Sequence, residues 1–133
     1  MLTDKVMTIR EMCDLFDVTA RTLRFYEAKE LLFPIREGQK RLFTKSDRAR
    51  LKLILRGKRF GFSLEDIRQL LDLYAMGDHG QTQLRETVAK GQIRLSEMIA
   101  QRDELNVAIQ ELEGQLAWGA SKIDAEQNQR KTG

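Results

Sequence analysis

Arg21, Thr22 and Arg24 fall close together in the stretch Val18–Glu27, which reads VTARTLRFYE. A guanidinium can donate two parallel hydrogen bonds to the O6/N7 edge of guanine or to a phosphate, and a threonine hydroxyl can serve either a base or the backbone. Tyr26 adds a phenol able to donate to a phosphate. These groups act together only if one element holds them on one face. Thr19 suits an N-cap, because its hydroxyl can accept from an otherwise unpaired amide of the first turn. Leu23 then turns inward while Arg21, Thr22 and Arg24 project from the entering end, as in a helix that docks in the DNA major groove by its N-terminus. Upstream, Thr8 and Glu11 have the T-x-x-E capping-box spacing, which predicts a helix over about 8–16. A tight turn at Asp17-Val18 would join the two as a helix-turn-helix.

Charge supports the same chemistry. Residues 1–74 hold 16 Lys/Arg against 11 Asp/Glu, and the rest of the chain 7 against 9. Between Arg36 and Arg59 ten basic residues face only Glu37 and Asp47, the footprint of a polyanion binder rather than of an ordinary solvated helix face. Within it, Arg36–Phe43 is too short and polar for a core element. Gly38 can take the positive φ of a turn, so two extended arms would carry Arg36, Lys40 and Arg41 outward as a wing that contacts phosphates. Thr44 and Asp47 repeat the capping spacing and open a third helix with Leu51, Ile54 and Leu55 inward. Lys58 near its end is a further phosphate contact. Phe60-Gly61-Phe62 ends that helix, with Gly61 left-handed and both rings plugging the core. Ser63 with Asp66 caps a fourth helix, whose stripe is Leu64, Ile67, Leu70 and Leu71. Tyr74–Gly80 reads as a loop.

The last segment is a heptad seam. Leu84, Val88, Gly91, Leu95, Met98, Arg102, Leu105, Ile109, Leu112 and Leu116 alternate spacings of four and three, with Gly91 and Arg102 as its two defects. At ~1.5 Å per residue, a helix over 84–118 is about 50 Å long, too long to bury its seam on a small domain. The seam therefore needs a partner, which makes its eight apolar positions the candidate dimerisation residues, and Arg102 can help fix register.

Other chemistries lack their parts. There is one cysteine, Cys13, and one histidine, His79. No Ser/His/Asp or Cys/His set and no phosphate loop is present, so the chain does not read as an enzyme. Asp78-His79 alone lacks the soft ligands that thiophilic metals select, and we expect no metal site and no cofactor. Cys13 reads as a small buried residue, and Trp118 as packing at the end of the seam. No apolar run approaches the roughly 18–20 residues of a membrane span. The N-terminus lacks the apolar core of a secretory signal, and a single cysteine fits a reducing compartment. The expected location is the cytoplasm.

The order of motifs resembles the MerR family of bacterial transcription regulators. Leu23-Arg24-Phe25-Tyr26-Glu27 matches the end of that family's recognition helix. Leu31-Leu32-Phe33-Pro34-Ile35-Arg36 matches its (G)-L-L-x-P-x-R segment, and Arg41-Leu42-Phe43 the end of its wing. Gly61-Phe62-Ser63-Leu64-Glu65-Asp66-Ile67 matches its G-F-S-L-x-x-I boundary. In the wing, Gln39-Lys40 replaces the usual glycine-tyrosine, and Phe43 stands where tyrosine is common. The resemblance implies a mainly α protein: a winged helix-turn-helix DNA-binding domain (1–75), a linker loop (76–83) and a dimerisation helix (84–118) pairing as an antiparallel coiled coil between chains. We expect a weakly ordered tail at 119–133. It also implies a homodimer that binds a palindromic operator in double-stranded DNA and distorts it for RNA polymerase. Cysteines that bind metals in many relatives are missing here, and we expect no separate ligand domain. A small-molecule effector would then sit near 72–84 or beside Trp118. The REGQKR wing and the LILRGKRFGFSL run resemble a subgroup linked to branched-chain amino-acid and acyl-CoA catabolism. The competing reading is a coiled-coil architectural or interaction protein, which explains 84–118 but not the basic wing.

Overall fold

The computed structural model describes residues 5–76 and 81–132. Strand β1 (Met7–Thr8) leads into helices α1 (Ile9–Phe16) and α2 (Ala20–Ala28). Strands β2 (Ile35–Glu37) and β3 (Lys40–Phe43) follow, then α3 (Lys45–Phe60), α4 (Leu64–Met76) and α5 (Gln81–Thr132). Contacts divide the chain into units 1–87 and 88–133.

Caps start the helices of the first unit where their sequences place them. Thr8 and Glu11 close a reciprocal capping box on α1, Thr19 accepts from the Thr22 amide on α2, and Thr44 and Asp47 close a second box on α3. The Ser63 hydroxyl accepts from the Asp66 amide at 3.1 Å. Three helices end on a left-handed residue: Asp17 (φ 54°), Glu30 (φ 59°) and Gly61 (φ 85°). After α2, the Leu31 amide donates to the Tyr26 carbonyl and the Glu30 amide to Glu27; after α3, Phe62 donates to Gly57 and Gly61 to Lys58. Both pairs form the Schellman pattern, which satisfies carbonyls the helix itself leaves open.

The hairpin turns through Gly38 and Gln39, with Glu37 opposite Lys40, Arg36 opposite Arg41 and Ile35 opposite Leu42. Gly38 supplies φ 60° at the first turn position, where a type II′ turn requires it. β1 pairs with the other edge of β3, Met7 opposite Phe43, so the sheet order is β1-β3-β2. A two-residue strand has no periodicity to read, and the sequence gives no sign of β1.

One core unites this unit. Met12 of α1, Leu23 and Tyr26 of α2, Leu31 and Leu32 of the following loop, Phe43 of β3, Leu51 and Ile54 of α3, and Ile67 and Leu71 of α4 are all buried. Leu55, Phe62, Leu64 and Cys13 pack on its edge. Phe60 is instead largely exposed, so only one of the two rings plugs the core. Buried Asp47 has a second task beyond its cap: it accepts from the Phe33 amide at 2.9 Å, tying the loop after α2 to the start of α3. Gly57 lets α3 and α4 meet closely, since a Cβ there would lie 2.7 Å from Ile67 Cγ1.

Two expectations change. α4 continues through Met76, so residues 74–76 are helical rather than loop; Asp78 and His79 lie outside the described residues. α5 begins at Gln81 and runs past the seam to Thr132. The stretch 119–132 is polar but rich in Ala, Glu, Gln, Lys and Arg, whose helix propensity carries the helix on without an apolar face. In the second unit most large apolar side chains are exposed, among them Leu105 at 61% and Leu116 at 64%. No helix among the described residues is long and apolar enough to cross a membrane.

Candidate nucleic-acid interface

α2 is held at its C-terminal end and open at its N-terminal turn. Arg68 of α4 donates to the carbonyls of Lys29 and Glu30, and the Schellman turn fixes the exit. At the other end Arg21 and Arg24 are exposed. Thr22 is half-buried, and its hydroxyl shares a 2.9 Å hydrogen bond with Thr19. Its orientation is therefore set by the cap. The two guanidiniums stand at the second and fifth residues of a capped helix, whose free first-turn amides favour anions.

Tyr26 is placed differently from the arginines. Its ring belongs to the core and is 5% exposed. Burial pushes its pKa up, which keeps the phenol protonated and a donor at neutral pH. Its hydroxyl forms no hydrogen bond among the described residues. Phe25, the next residue back, is exposed and carries the Lys29 ammonium 5.7 Å from its ring centre.

The wing arginines do not simply project. Arg41 Nε donates to Glu27 Oε1 at 2.5 Å, and Arg36 Nη1 donates to Glu27 Oε2 at 3.1 Å. Glu27 sits in the last turn of α2, so one carboxylate of that helix grips both strands of the wing. Its partial burial would raise its pKa, but the hydrogen bonds and charges of Arg41 and Arg36 outweigh that and hold it below the ordinary carboxylate value. A lowered carboxylate pKa stabilises the fold fully above the ordinary value and loses that contribution as pH falls through the lowered one. The clasp is therefore complete at neutral pH. Sequence reading missed Glu27, although it lies in the LRFYE motif; its partners are 9 and 14 residues away, beyond any local spacing rule.

The basic strip splits by role. Arg36 and Arg41 bind Glu27, Arg48 donates to the Lys5 carbonyl, and Arg50 donates to the Leu31 carbonyl while its guanidinium lies 5.1 Å from the Phe33 ring centre. Lys40, Lys45, Lys52, Arg56, Lys58 and Arg59 are exposed, and their side chains have no hydrogen-bond or ion-pair partner among the described residues. The arginine forks build the fold, and mostly lysines remain as a cationic surface. Lys58 stands in the last turn of α3.

An open recess of about 200 Å³ lies between α4 and the first turns of α5, lined by Gln69, Asp72, Leu73, Gln83, Glu86 and Thr87. Among the described residues no three His, Cys, Asp or Glu side chains converge on a metal-sized site.

Comparison with known proteins places the same residues in context. The family described as MerR HTH family regulatory protein matches residues 7–73, and a second, described as MerR, DNA binding, matches 48–115. The HTH-type transcriptional regulator ZntR of Escherichia coli K12 is 38% identical over 99 residues, covering 73% of this chain and 69% of ZntR. Among solved structures, HiNmlR, a MerR family regulator lacking the sensor domain and bound to promoter DNA, superposes with TM-score 0.67 at 28% identity over 84% of each chain. PbrR691 from Ralstonia metallidurans CH34, in complex with lead(II), gives TM-score 0.53 at 31% identity over 74% of this chain and 81% of that one.

Proposed function

The chain belongs to the MerR family of DNA-binding transcriptional regulators, and from that premise we propose that it works as a homodimer on a palindromic promoter operator. The exposed seam of α5, from Leu84 and Val88 through Leu95, Met98, Leu105, Ile109 and Leu112 to Leu116, supports an antiparallel coiled coil between two chains. Each chain then presents one α2 to a half-site. Arg21, Thr22 and Arg24 face base edges; Tyr26, Arg36, Lys40, Arg41 and Lys58 take phosphates. A rigid dimer with two such units stabilises DNA bent to fit it, at a cost that depends on the sequence bent, and the bend shifts the promoter elements that RNA polymerase reads. The effector is a small non-metal molecule, and the recess between α4 and α5 is where we place it. The regulator acts in the cytoplasm and catalyses no reaction.

The observation that carries this reading is the pair of exposed arginines, Arg21 and Arg24, on the capped helix α2, beside a wing tied to the same helix. Titrations of Arg24→Ala and Lys58→Ala on operator and scrambled DNA at several salt concentrations test it. Arg24→Ala should cost about 1–3 kcal/mol on the operator and relax preference at one position per half-site. Lys58→Ala should weaken both DNAs alike and make the slope of log K against log salt shallower by about two units per dimer. If the Arg24 variant changes only the salt slope, α2 does not read bases through this residue.

A further inference from the structure

We propose that Glu27 is a positioning residue for DNA binding: it sets the wing against the recognition helix and orients the guanidiniums of Arg36 and Arg41 for phosphate. The proposal rests on the operator-binding reading above and extends it to a residue that would touch no DNA. Arg36 and Arg41 are direct partners across the hairpin, and like charges directly opposite repel. One carboxylate from α2 bridges them and leaves a three-residue cluster of net charge +1. Its geometry spends few donors. Arg41 is anchored through Nε, and Arg36 through Nη1. The Nη groups of Arg41 and the Nε and Nη2 of Arg36 have no other partner among the described residues.

Exposure follows the same division. Glu27 and Arg41 side chains are 21% and 22% exposed, while Arg36 is 46% exposed. The inner pair forms the hinge pin, and the outer arginine stays about twice as exposed. Arg21 stands on the first turn, and Arg24 at the middle, of the helix whose last turn carries Glu27. The clasp therefore fixes the spacing between the groups that read bases and those that grip the backbone.

The sign of one effect separates this account from simple electrostatics. A carboxylate near DNA repels phosphate, so its removal should tighten binding if repulsion is all it does. If Glu27 positions the wing, Glu27→Ala should weaken operator binding about tenfold, the loss expected for a charge-assisted pair. Glu27→Gln, which keeps one acceptor, should fall between. In an Arg36→Ala/Arg41→Ala background Glu27→Ala should have no further effect, because its partners are gone. Hydrogen exchange of the free protein should show faster exchange at the β2 and β3 amides in Glu27→Ala. Operator binding at or above wild-type strength in Glu27→Ala, an undiminished cost in the double-arginine background, or unchanged wing exchange would each overturn the proposal alone. A wild-type chain with no operator preference would overturn the regulator reading, and the proposal with it.

Discussion

At the scale of single residues, two backbone positions carry strain for the sake of a turn. Asp17 and Glu30 are non-glycine residues at φ 54° and 59°, where a Cβ crowds the following carbonyl. Glu30 closes the Schellman turn at the end of α2, and the resembling family pattern has a glycine in that place. Its side chain is exposed. Glu30→Gly should therefore stabilise the protein by about 0.5–1 kcal/mol, the strain relief net of glycine's larger unfolded entropy. A thermal melt should show Tm rising by a few degrees; a fall would mean that the Glu30 side chain contributes more than its backbone costs. Neither position was legible beforehand, because the usual signal for a left-handed residue is glycine. Gly38 and Gly61 gave that signal and were readable for that reason. The caps were readable too, since Thr8, Thr19, Thr44 and Ser63 act on amides within three residues of themselves. Reach explains the misses: Asp47 was read as a cap, but its bond to Phe33 spans 14 residues, and so does the bond of Glu27 to Arg41.

Among the elements, α1, α2 and α3 match their sequence patterns because each depends on local capping and one apolar stripe. Contacts between elements carry the rest. α3 and α4 cross where Gly57 meets Ile67, and Gly57 is buried with no room for a methyl group. Alanine would gain about 0.8–1 kcal/mol in helix propensity but would force Ile67, itself buried, out of place. Overpacking of a filled core costs about 1–3 kcal/mol, so Gly57→Ala should be net destabilising by up to about 2 kcal/mol in a denaturant titration. Equal or greater stability would show that Ile67 can yield cheaply. The wing shows the same division. Its turn was visible in Gly38, but its third strand and its attachment to α2 were not, because β1 pairs with β3 across more than thirty residues. Treating Arg36, Lys40 and Arg41 as one outward-facing set merged two kinds of residue: Lys40 is exposed at the turn, whereas both arginines bind back to Glu27.

For the whole molecule, the decisive feature is a helix of 52 residues, about 78 Å at 1.5 Å per residue, whose seam is exposed in the single chain. The heptad spacing made that seam legible; its helical continuation to Thr132 was not, since propensity without periodicity gives no face to read. Leu105→Glu together with Ile109→Glu would bury four like charges in each paired seam. The variant should run as a monomer in light scattering and lose most operator affinity, and an unchanged dimer would place the interface elsewhere. The proposed regulation requires sequence-specific recognition of a symmetric site by two copies of α2 and its wing. Selection of DNA from a random library by the intact wild-type protein tests that directly. We predict enrichment of a single inverted repeat, its half-sites spaced for one face of the duplex. No enriched sequence, or an enriched sequence without two-fold symmetry, would contradict it.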